Sequence, residues 1–348
     1  MEETKGTPDL LDLMVQPGFY VENFTIVRLN AAAEGLLLSA GMDIRPLIAS
    51  GLAEYEAFTG GCLYLRLGLS GKGVGASVIR HGGVDAFLLD TQECDSALQA
   101  LSLAARELRE PLAAILVSAG ALEGDETQLA LLNRGLYQVL RIIGNMSDAG
   151  RMPSPSRQET TDMDALFSEI FEKAAVLAET AGVTVCYEGL KQPVFCLADR
   201  ELLERAALNL ISNALKFAPA GGKIDASLTK CGKMLRLSIR DNGPGFAQNL
   251  LGSVFHRYLR QPCIEDGRNG LGLGMVLVRS AAASHGGAVL IDQPDSGGAR
   301  VTMTMAIRQN PSGTLRSPIL RVDYAGEQDH ALVELSDCLP PSLYKPAE

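Results

Sequence analysis

The sequence has 348 residues and a formal net charge of -10, with 47% hydrophobic and 21% charged residues. That composition supplies enough apolar side chains for packed cores, and the length predicts two or three domains. The acidic balance and the lack of tryptophan argue against nucleic-acid or anionic-membrane binding, because those functions need basic or base-stacking surface.

The N-terminus is acidic and has no apolar run of signal-peptide length. No stretch of the sequence approaches eighteen uninterrupted apolar residues, so no membrane span is expected. The seven cysteines are scattered and form no C-x-x-C pair. That spacing is typical of reduced thiols and not of a disulfide framework or a zinc site. We therefore expect a cytoplasmic protein.

Short β-prone blocks separated by glycine-rich turns fill residues 1–90. These blocks are residues 25–30, 62–69, 75–80 and 86–89. Their order, with a helical stretch after the first block, resembles a PAS sensor domain, whose opening strand often continues as Asn-x-x-Ala-x-x-Leu. The matching residues here are Asn30, Ala33 and Leu36. The resemblance predicts a PAS-like antiparallel sheet domain over residues 1–90.

A heptad pattern of apolar or small residues occupies residues 91–150, with steps of three and four. The first run is Leu98, Leu101, Ala105, Leu108, Leu112, Ile115 and Ala119, and the second is Leu129, Leu132, Leu136, Val139, Ile143 and Met146. The pattern predicts a two-helix hairpin with an unburied stripe, and such a hairpin usually dimerises into a four-helix bundle. A plain helical linker or coiled coil would show the same spacing.

Residues 151–161 are rich in proline and serine and are predicted to be a linker. Residues 162–310 then alternate helical and β-prone stretches, which predicts a mixed sheet covered by helices in an α+β sandwich. Residues 311–348 form a C-terminal extension, where 319–323 and 331–335 are strand candidates. The predicted fold class is thus multidomain α+β.

The predicted long helix at residues 199–217 carries a polar face. Asn209, Asn213 and Lys216 are spaced i, i+4 and i+7 and so share one side of the helix. Amide oxygens suit Mg²⁺, and a lysine one turn further along can contact phosphate oxygens. The pattern alone is weak, since an asparagine on a helix face is more often only solvated.

The run Asp-Asn-Gly-Pro-Gly at residues 241–245 follows an apolar strand. A carboxylate at a strand end, here Asp241, can accept a hydrogen bond from the amino group of adenine. Gly243 and Gly245 would let the backbone approach a flat base without a Cβ clash. An ordinary strand-to-loop turn would have the same composition.

Two further motifs follow in the same predicted domain. Phe255 and Arg257 place an aromatic ring and a cation in a long loop, and Gly270, Gly272 and Gly274 precede a predicted helix. Exposed N–H groups at a helix start favour an anion, so phosphates can bind there. No G-x-G-x-x-G spacing appears, which disfavours a dinucleotide fold.

Together, the four motifs resemble the N, G1, F and G2 boxes of the histidine-kinase ATPase domain, the Bergerat fold, over residues 164–307. The resemblance implies ATP and Mg²⁺ as ligands. The resemblance implies that Asn209 and Asn213 hold Mg²⁺ and that Lys216 contacts the phosphates. It implies that Asp241 recognises adenine in a base pocket shaped by Gly243 and Gly245, and that the triphosphate is cradled by Gly270, Gly272 and Gly274. It also places Phe255 in the nucleotide-binding loop and implies weaker phosphate contacts from Arg257 and Arg279. It also implies a mobile lid over residues 246–269.

In this family the first hairpin helix carries Ser-His-Glu-Leu-Arg-Thr-Pro-Leu, and the matching run here is residues 105–112. The phosphoacceptor position is Arg106, whose protonated guanidinium has no lone pair for attack on phosphorus. Glu107 keeps the general-base position, but its histidine partner is replaced. Glu110 stands where the family has Thr or Asn for phosphatase chemistry, so both activities of this helix are in doubt.

These features predict an ATP-binding histidine kinase-like signalling protein of a two-component pathway, degenerate for autophosphorylation: a pseudokinase. The expected partners are a second copy of the chain, through the hairpin, and a response regulator or another histidine kinase. One alternative is a kinase that phosphorylates a histidine on a partner protein. Another is a Bergerat-fold ATPase or a serine-directed kinase, which the heptad hairpin disfavours.

Overall fold

The computed structural model describes residues 11, 14–90, 92–149, 158–245, 273–309 and 328–345. Most strands join one 11-stranded mixed sheet, and a separate two-stranded ribbon and the helices pack around it. The elements of the N-terminal part are β1 (Gly18–Glu22), β2 (Thr25–Leu29), α1 (Ala31–Glu34), β3 (Ile48–Ser50), α2 (Leu52–Glu56), β4 (Cys62–Leu69), β5 (Lys72–His81) and β6 (Val84–Leu89).

The N-terminal strands pair antiparallel in the order β2-β1-β6-β5-β4, which confirms the predicted meander. Aromatic side chains fill the core behind it. The rings of Phe19 and Phe87 stack with centroids 4.8 Å apart, and Tyr55 meets Phe87 edge-on at 5.5 Å. The buried hydroxyl of Tyr55 donates to Asp85 (2.7 Å), so its polar end is satisfied.

The hairpin consists of α3 (Gln92–Gly120) and α4 (Glu126–Ala149), as the heptad pattern predicts. The Asp125 side chain accepts from the Gln128 amide (2.9 Å) and so caps the start of α4. Ala105, Leu112, Leu140 and Ile143 form the core of the hairpin with Val333 from the C-terminal segment. Other apolar residues stay exposed, so part of the predicted stripe is open to solvent.

The remaining elements are β7 (Glu159–Asp162), α5 (Met163–Thr180), β8 (Thr184–Glu188), β9 (Phe195–Ala198), α6 (Arg200–Phe217), β10 (Lys223–Cys231), β11 (Met234–Asp241), α7 (Leu273–Ser284), β12 (Val289–Asp292), β13 (Arg300–Ala306) and α8 (His330–Glu334). Strands β12-β13-β11-β10-β8 are neighbours in that order, with only β8 and β10 parallel. Helices α5, α6 and α7 contribute their apolar faces to one core over this sheet, so the predicted α+β sandwich is confirmed.

Two sequence-based expectations for this region are wrong. Residues 159–161, predicted to be linker, belong to β7, which pairs with β9 in the two-stranded ribbon. Residues 331–335, a strand candidate, lie mainly in the helix α8. The cause is Asp329, whose side chain accepts from the amides of Ala331 (2.8 Å) and Leu332 (3.2 Å) and so starts a helix. The other strand candidate, 319–323, lies outside the described residues.

The two sheets expected from the sequence are continuous in the structure. Strand β12 pairs antiparallel with β4, with Cys62 opposite Ile291 and Tyr64 opposite Val289. The N-terminal unit is therefore attached to the C-terminal sheet by backbone hydrogen bonding. Within the ranges that the structure describes, no helix is both long and apolar enough to cross a bilayer.

Candidate nucleotide site

Helix α6 carries the first group of predicted site residues. Its N-cap is Asp199, whose side chain accepts from the Leu202 amide (3.1 Å), and its apolar side faces the sheet core. Asn209 is completely buried, whereas Asn213 and Lys216 are partly exposed. The helix therefore presents the three side chains at different depths.

Asn209 is held by three neighbours. Its Nδ2 donates to the Arg205 carbonyl (2.9 Å) and to Glu334 Oε2 (3.1 Å), and its Oδ1 accepts from Arg141 Nη2 (3.4 Å). A Cβ built on Gly274 would lie 2.7 Å from Oδ1 of Asn209. A larger residue at position 274 would therefore require the Asn209 side chain to move at this approach of α7 to α6.

The other two polar residues of α6 also have partners. Asn213 Nδ2 lies 3.6 Å from the sulfur of Met275, which follows Gly274 on α7. Lys216 Nζ donates to Asp337 Oδ2 at 2.7 Å. Asn209 and Asn213 thus both face the start of α7, and Lys216 faces the C-terminal segment.

Asp241 ends β11 with a buried, fixed carboxylate. Its Oδ1 accepts from the Gly243 amide (2.8 Å) and the Ala299 amide (3.2 Å). These two bonds orient the side chain, and both use Oδ1 and not Oδ2. A single acceptor oxygen held in a fixed direction is what recognition of a base amino group requires.

The loop after Asp241 passes closely over the end of α6. A Cβ on Gly243 would overlap the carbonyl of Phe217, the last residue of α6. Gly245 has a φ of +77°, which an L side chain rarely adopts. The three predicted motifs at α6, β11 and α7 are therefore direct structural neighbours.

Helix α7 is anchored at its end by His285. The His285 ring accepts from the Asp199 amide through Nε2 (3.0 Å), and Nδ1 lies 2.7 Å from the Ala281 carbonyl. Burial lowers the pKa of this imidazole. Arg279, a predicted phosphate contact, instead has its guanidinium 3.3 Å from Asp90 and over the ring of Tyr64.

The predicted phosphoacceptor region lies on α3. Arg106 and Glu107 are both exposed, as expected for the acceptor position and its neighbour. Four of the predicted nucleotide contacts lie outside the described residues: Phe255, Arg257, Gly270 and Gly272.

A charged network that the sequence did not predict lies against Asn209. Arg205, only 1% exposed, pairs with Glu334 (3.0 Å), with Asp148 of α4, and with the amide oxygen of Asn145 (3.0 Å). The sequence feature that could have indicated this network is the presence of two charged residues, Arg205 and Glu334, within apolar runs.

The second half of the network lies next to Lys216. Arg141 of α4 pairs with Glu334 (3.3 Å) and with Asp337. Burial would raise the pKa of Asp337, but the charge of Arg141 and the hydrogen bond from Lys216 hold that pKa below its usual range. The carboxylate is therefore ionised and bound to two cations.

Comparisons with known proteins agree with this geometry. Residues 198–309 match the family described as histidine kinase-, DNA gyrase B- and HSP90-like ATPase. The hybrid signal transduction histidine kinase D of Dictyostelium discoideum is 29% identical over 59% of this chain and 14% of its own length. The sensor protein SphS of Synechococcus elongatus is 30% identical over 70% of this chain and 63% of its own.

A solved structure, full-length ShkA in complex with AMPPNP, covers 61% of this chain and 47% of its own, with 22% identity and a TM-score of 0.49. So distant a structural likeness adds nothing to the family match. This chain spans less than two thirds of the length of the two curated relatives named above. The matched ATPase region coincides with the elements that carry Asn209, Asp241 and Gly274, so residues 198–309 form a histidine kinase-, DNA gyrase B- and HSP90-like ATPase domain in a chain that is similar to sensor histidine kinases.

Proposed function

We propose that this chain binds ATP with Mg²⁺ at the face formed by α6, the end of β11 and the start of α7. The observation that carries the proposal is the fixed carboxylate of Asp241, with Gly243 against the end of α6 and Gly274 against Asn209. Asp241 would accept from the adenine amino group, Asn209 and Asn213 would hold Mg²⁺, and Lys216 would contact the phosphates. Bound ATP would supply the transferable phosphoryl group.

We infer that the chain does not phosphorylate its own hairpin. Arg106 occupies the acceptor position, and a guanidinium that stays protonated at physiological pH is no nucleophile. The chain would then act in a two-component pathway through nucleotide-dependent conformations. Its partner would be a response regulator or a second histidine kinase. The antiparallel order β2-β1-β6-β5-β4 supports a PAS-like sensor role for the N-terminal unit.

The first experiment is equilibrium binding of ATP to the full chain in the presence of Mg²⁺. Asp241→Asn keeps one acceptor oxygen but turns an amide NH₂ toward the base amino group. We expect binding to weaken ten- to a hundredfold, which corresponds to roughly 1.4–2.7 kcal/mol, as for a mispaired buried group. Asp225→Asn, at an exposed position on β10, is the matched control and should bind like the parent. Equal affinity for all three proteins would refute the assignment of the pocket.

The second experiment is incubation with γ-labelled ATP and Mg²⁺, followed by a test for acid-labile protein-bound phosphate. The parent should take up no label, and Arg106→His should gain it if the rest of the machinery is intact. Acid-labile label on the parent would contradict the inference about Arg106. Label that appears only on an added histidine-bearing partner would favour the trans-acting kinase instead.

A further inference from the structure

The C-terminal segment, residues 328–345, contacts two of the three polar side chains of α6 that the proposed function assigns to Mg²⁺ and phosphate. Glu334 Oε2 accepts from Asn209 Nδ2 (3.1 Å), and Asp337 Oδ2 accepts from Lys216 Nζ (2.7 Å). Glu334 is fully buried in this position. Asn209 and Lys216 are therefore already engaged by carboxylates of this chain.

A cation of the hairpin completes the same arrangement. Arg141 donates from Nη2 to Asn209 Oδ1 (3.4 Å), which is the oxygen that would coordinate Mg²⁺. The same guanidinium pairs with Glu334 and Asp337. A divalent cation at Asn209 would face this fixed positive charge, so its binding requires Arg141 to move.

The segment is also fastened to the hairpin along its length. Arg134 of α4 donates to the carbonyls of Ser336 (3.0 Å) and Asp337 (3.2 Å). At the far end, Asn133 donates to the Tyr344 carbonyl (3.0 Å), and the ring of Tyr137 meets Tyr344 edge-on at 5.1 Å. The contact is therefore a docked interface that joins α4 to α6.

Apolar side chains of the segment support the docking. Ala331, Leu335, Leu339 and Tyr344 are buried members of the main core cluster. Their burial fixes the backbone around Glu334 and Asp337, so the two carboxylates are held against α6 at little further entropic cost.

We propose that residues 328–345 are an intrasteric inhibitor of the nucleotide site, docked by Glu334, Asp337 and Arg141 and displaced when Mg-ATP binds. The proposal rests on the proposed function, since it takes Asn209 and Lys216 as nucleotide ligands. The segment and the nucleotide compete for the same side chains. The apparent affinity for Mg-ATP is therefore the intrinsic affinity multiplied by the fraction of molecules in which the segment is undocked. Linkage requires the reverse as well, namely that Mg-ATP loosens the segment from α4.

The test compares Mg-ATP affinity among full-length variants. Asp337→Asn removes the partner of Lys216 and Arg141, and Arg134→Gln removes two anchors of the segment on the hairpin. Both should bind Mg-ATP about three- to tenfold more tightly than the parent. Glu126→Gln breaks only the exposed pair with Lys345 and should leave the affinity unchanged.

Arg134→Gln separates release of the segment from a simple charge effect. Loss of a positive charge would by itself weaken binding of an anionic nucleotide, whereas release of the segment strengthens it. Tighter binding by Asp337→Asn together with weaker or unchanged binding by Arg134→Gln would overturn the proposal. Faster amide exchange across 328–345 on addition of Mg-ATP to the parent is expected, and equal protection with and without nucleotide would also overturn it.

The outcomes also separate this proposal from the proposed function. If the parent binds Mg-ATP, Asp241→Asn binds it ten- to a hundredfold more weakly, and neither segment variant binds more tightly than the parent, the nucleotide site is supported and the inhibitor proposal is refuted. If the parent and both segment variants fail to bind Mg-ATP, the proposed function is refuted and the inhibitor proposal is refuted with it. Binding by the segment variants but not by the parent would support both.

Discussion

Arg205 carries a permanent charge almost completely out of water, and its neighbours explain how the fold tolerates it. Glu334 and Asp148 are within ion-pair reach, and Asn145 supplies a further acceptor. Removal of one member of such a network usually costs more than the intact network contributes, because the remaining charge stays buried without compensation. The network therefore links α4, α6 and the C-terminal segment, and loss of any one member is expected to be destabilising.

His285 gives a residue-scale prediction about pH. The Asp199 amide can only donate, so Nε2 must accept and Nδ1 must carry the proton toward Ala281. The fold thus binds the neutral ring, in accord with the lowered pKa that burial causes. The unfolded chain takes up a proton near the ordinary value of 6.5, before the folded chain does. This contribution to stability is therefore present above about pH 6.5 and is lost as the pH falls below it.

The measurement is the thermal unfolding midpoint between pH 7.5 and pH 5. The parent should lose stability on acidification, by up to about 1.4 kcal/mol per pH unit from this one group. His285→Gln should start from a lower midpoint and lose less of it on acidification. His81→Gln, at an exposed position on β5, should keep the slope of the parent. Identical slopes for the parent and His285→Gln would show that the ring does not control this window.

At the scale of elements, the hairpin leaves apolar side chains without a partner inside one chain. Leu108 and Ile115, one heptad apart on α3, are about half exposed, and Val139 and Ile142 on α4 are similarly open. Ala105 and Leu112, which are also one heptad apart on α3, are buried inside the hairpin. A helix pair that is apolar on two sides is typical of a bundle with more than two helices, which supports the homodimer that the heptad pattern predicts.

The element-scale prediction is that Ile115→Glu weakens this dimer. Burial of each isoleucine stabilises the interface by roughly 1.5 kcal/mol or more. In a two-fold symmetric interface the substitution is present in both subunits, so its effect occurs twice. The dissociation constant should therefore rise about a hundredfold, measured by sedimentation or light scattering over a concentration series. Val176→Glu, at a 68% exposed position on α5, is the control and should leave the association state unchanged. If Val176→Glu disrupts the dimer and Ile115→Glu does not, the interface lies elsewhere.

At the scale of the whole molecule, the sequence predicted those features that depend on local pattern. The heptads containing Leu112 and Ile143 predicted the hairpin because helix burial repeats every three to four residues. The motif residues Asn209 and Asp241 were recognisable because each motif requires one residue type at one position in a short stretch of sequence. Both predictions depend on short stretches of chain.

Features that depend on distant pairing were not predictable in this way. Glu334 and Arg205 are 129 residues apart, and the sequence around either residue does not identify the other as its partner. Residues 331–335 are mostly apolar, as in a short strand, and α8 is too short to show a helical period. The Asp329 cap was the one local signal for a helix there.

The pairing of β4 with β12 is a further long-range feature, and Gly61 makes it possible. Gly61 immediately precedes β4 and has a φ of +93°. A Cβ there would overlap the carbonyl of Ile291 and lie 3.2 Å from the Cα of Asp292, both in β12. The backbones of the N-terminal unit and the ATPase domain therefore meet at a point where only glycine fits.

The whole-molecule prediction is that Gly61→Ala loosens the junction of the two units. Gly71→Ala is the matched control, because Gly71 also has a positive φ (+77°) but no described atom lies within 4 Å of a Cβ built there. Both variants bear a similar conformational cost of about 1 kcal/mol, and only Gly61→Ala adds the clash with β12. The amides of β12 should exchange faster in Gly61→Ala than in Gly71→Ala, and its thermal midpoint should be lower. Equal exchange in the two variants would mean that the close approach of Gly61 to β12 does not hold the N-terminal unit against the ATPase domain.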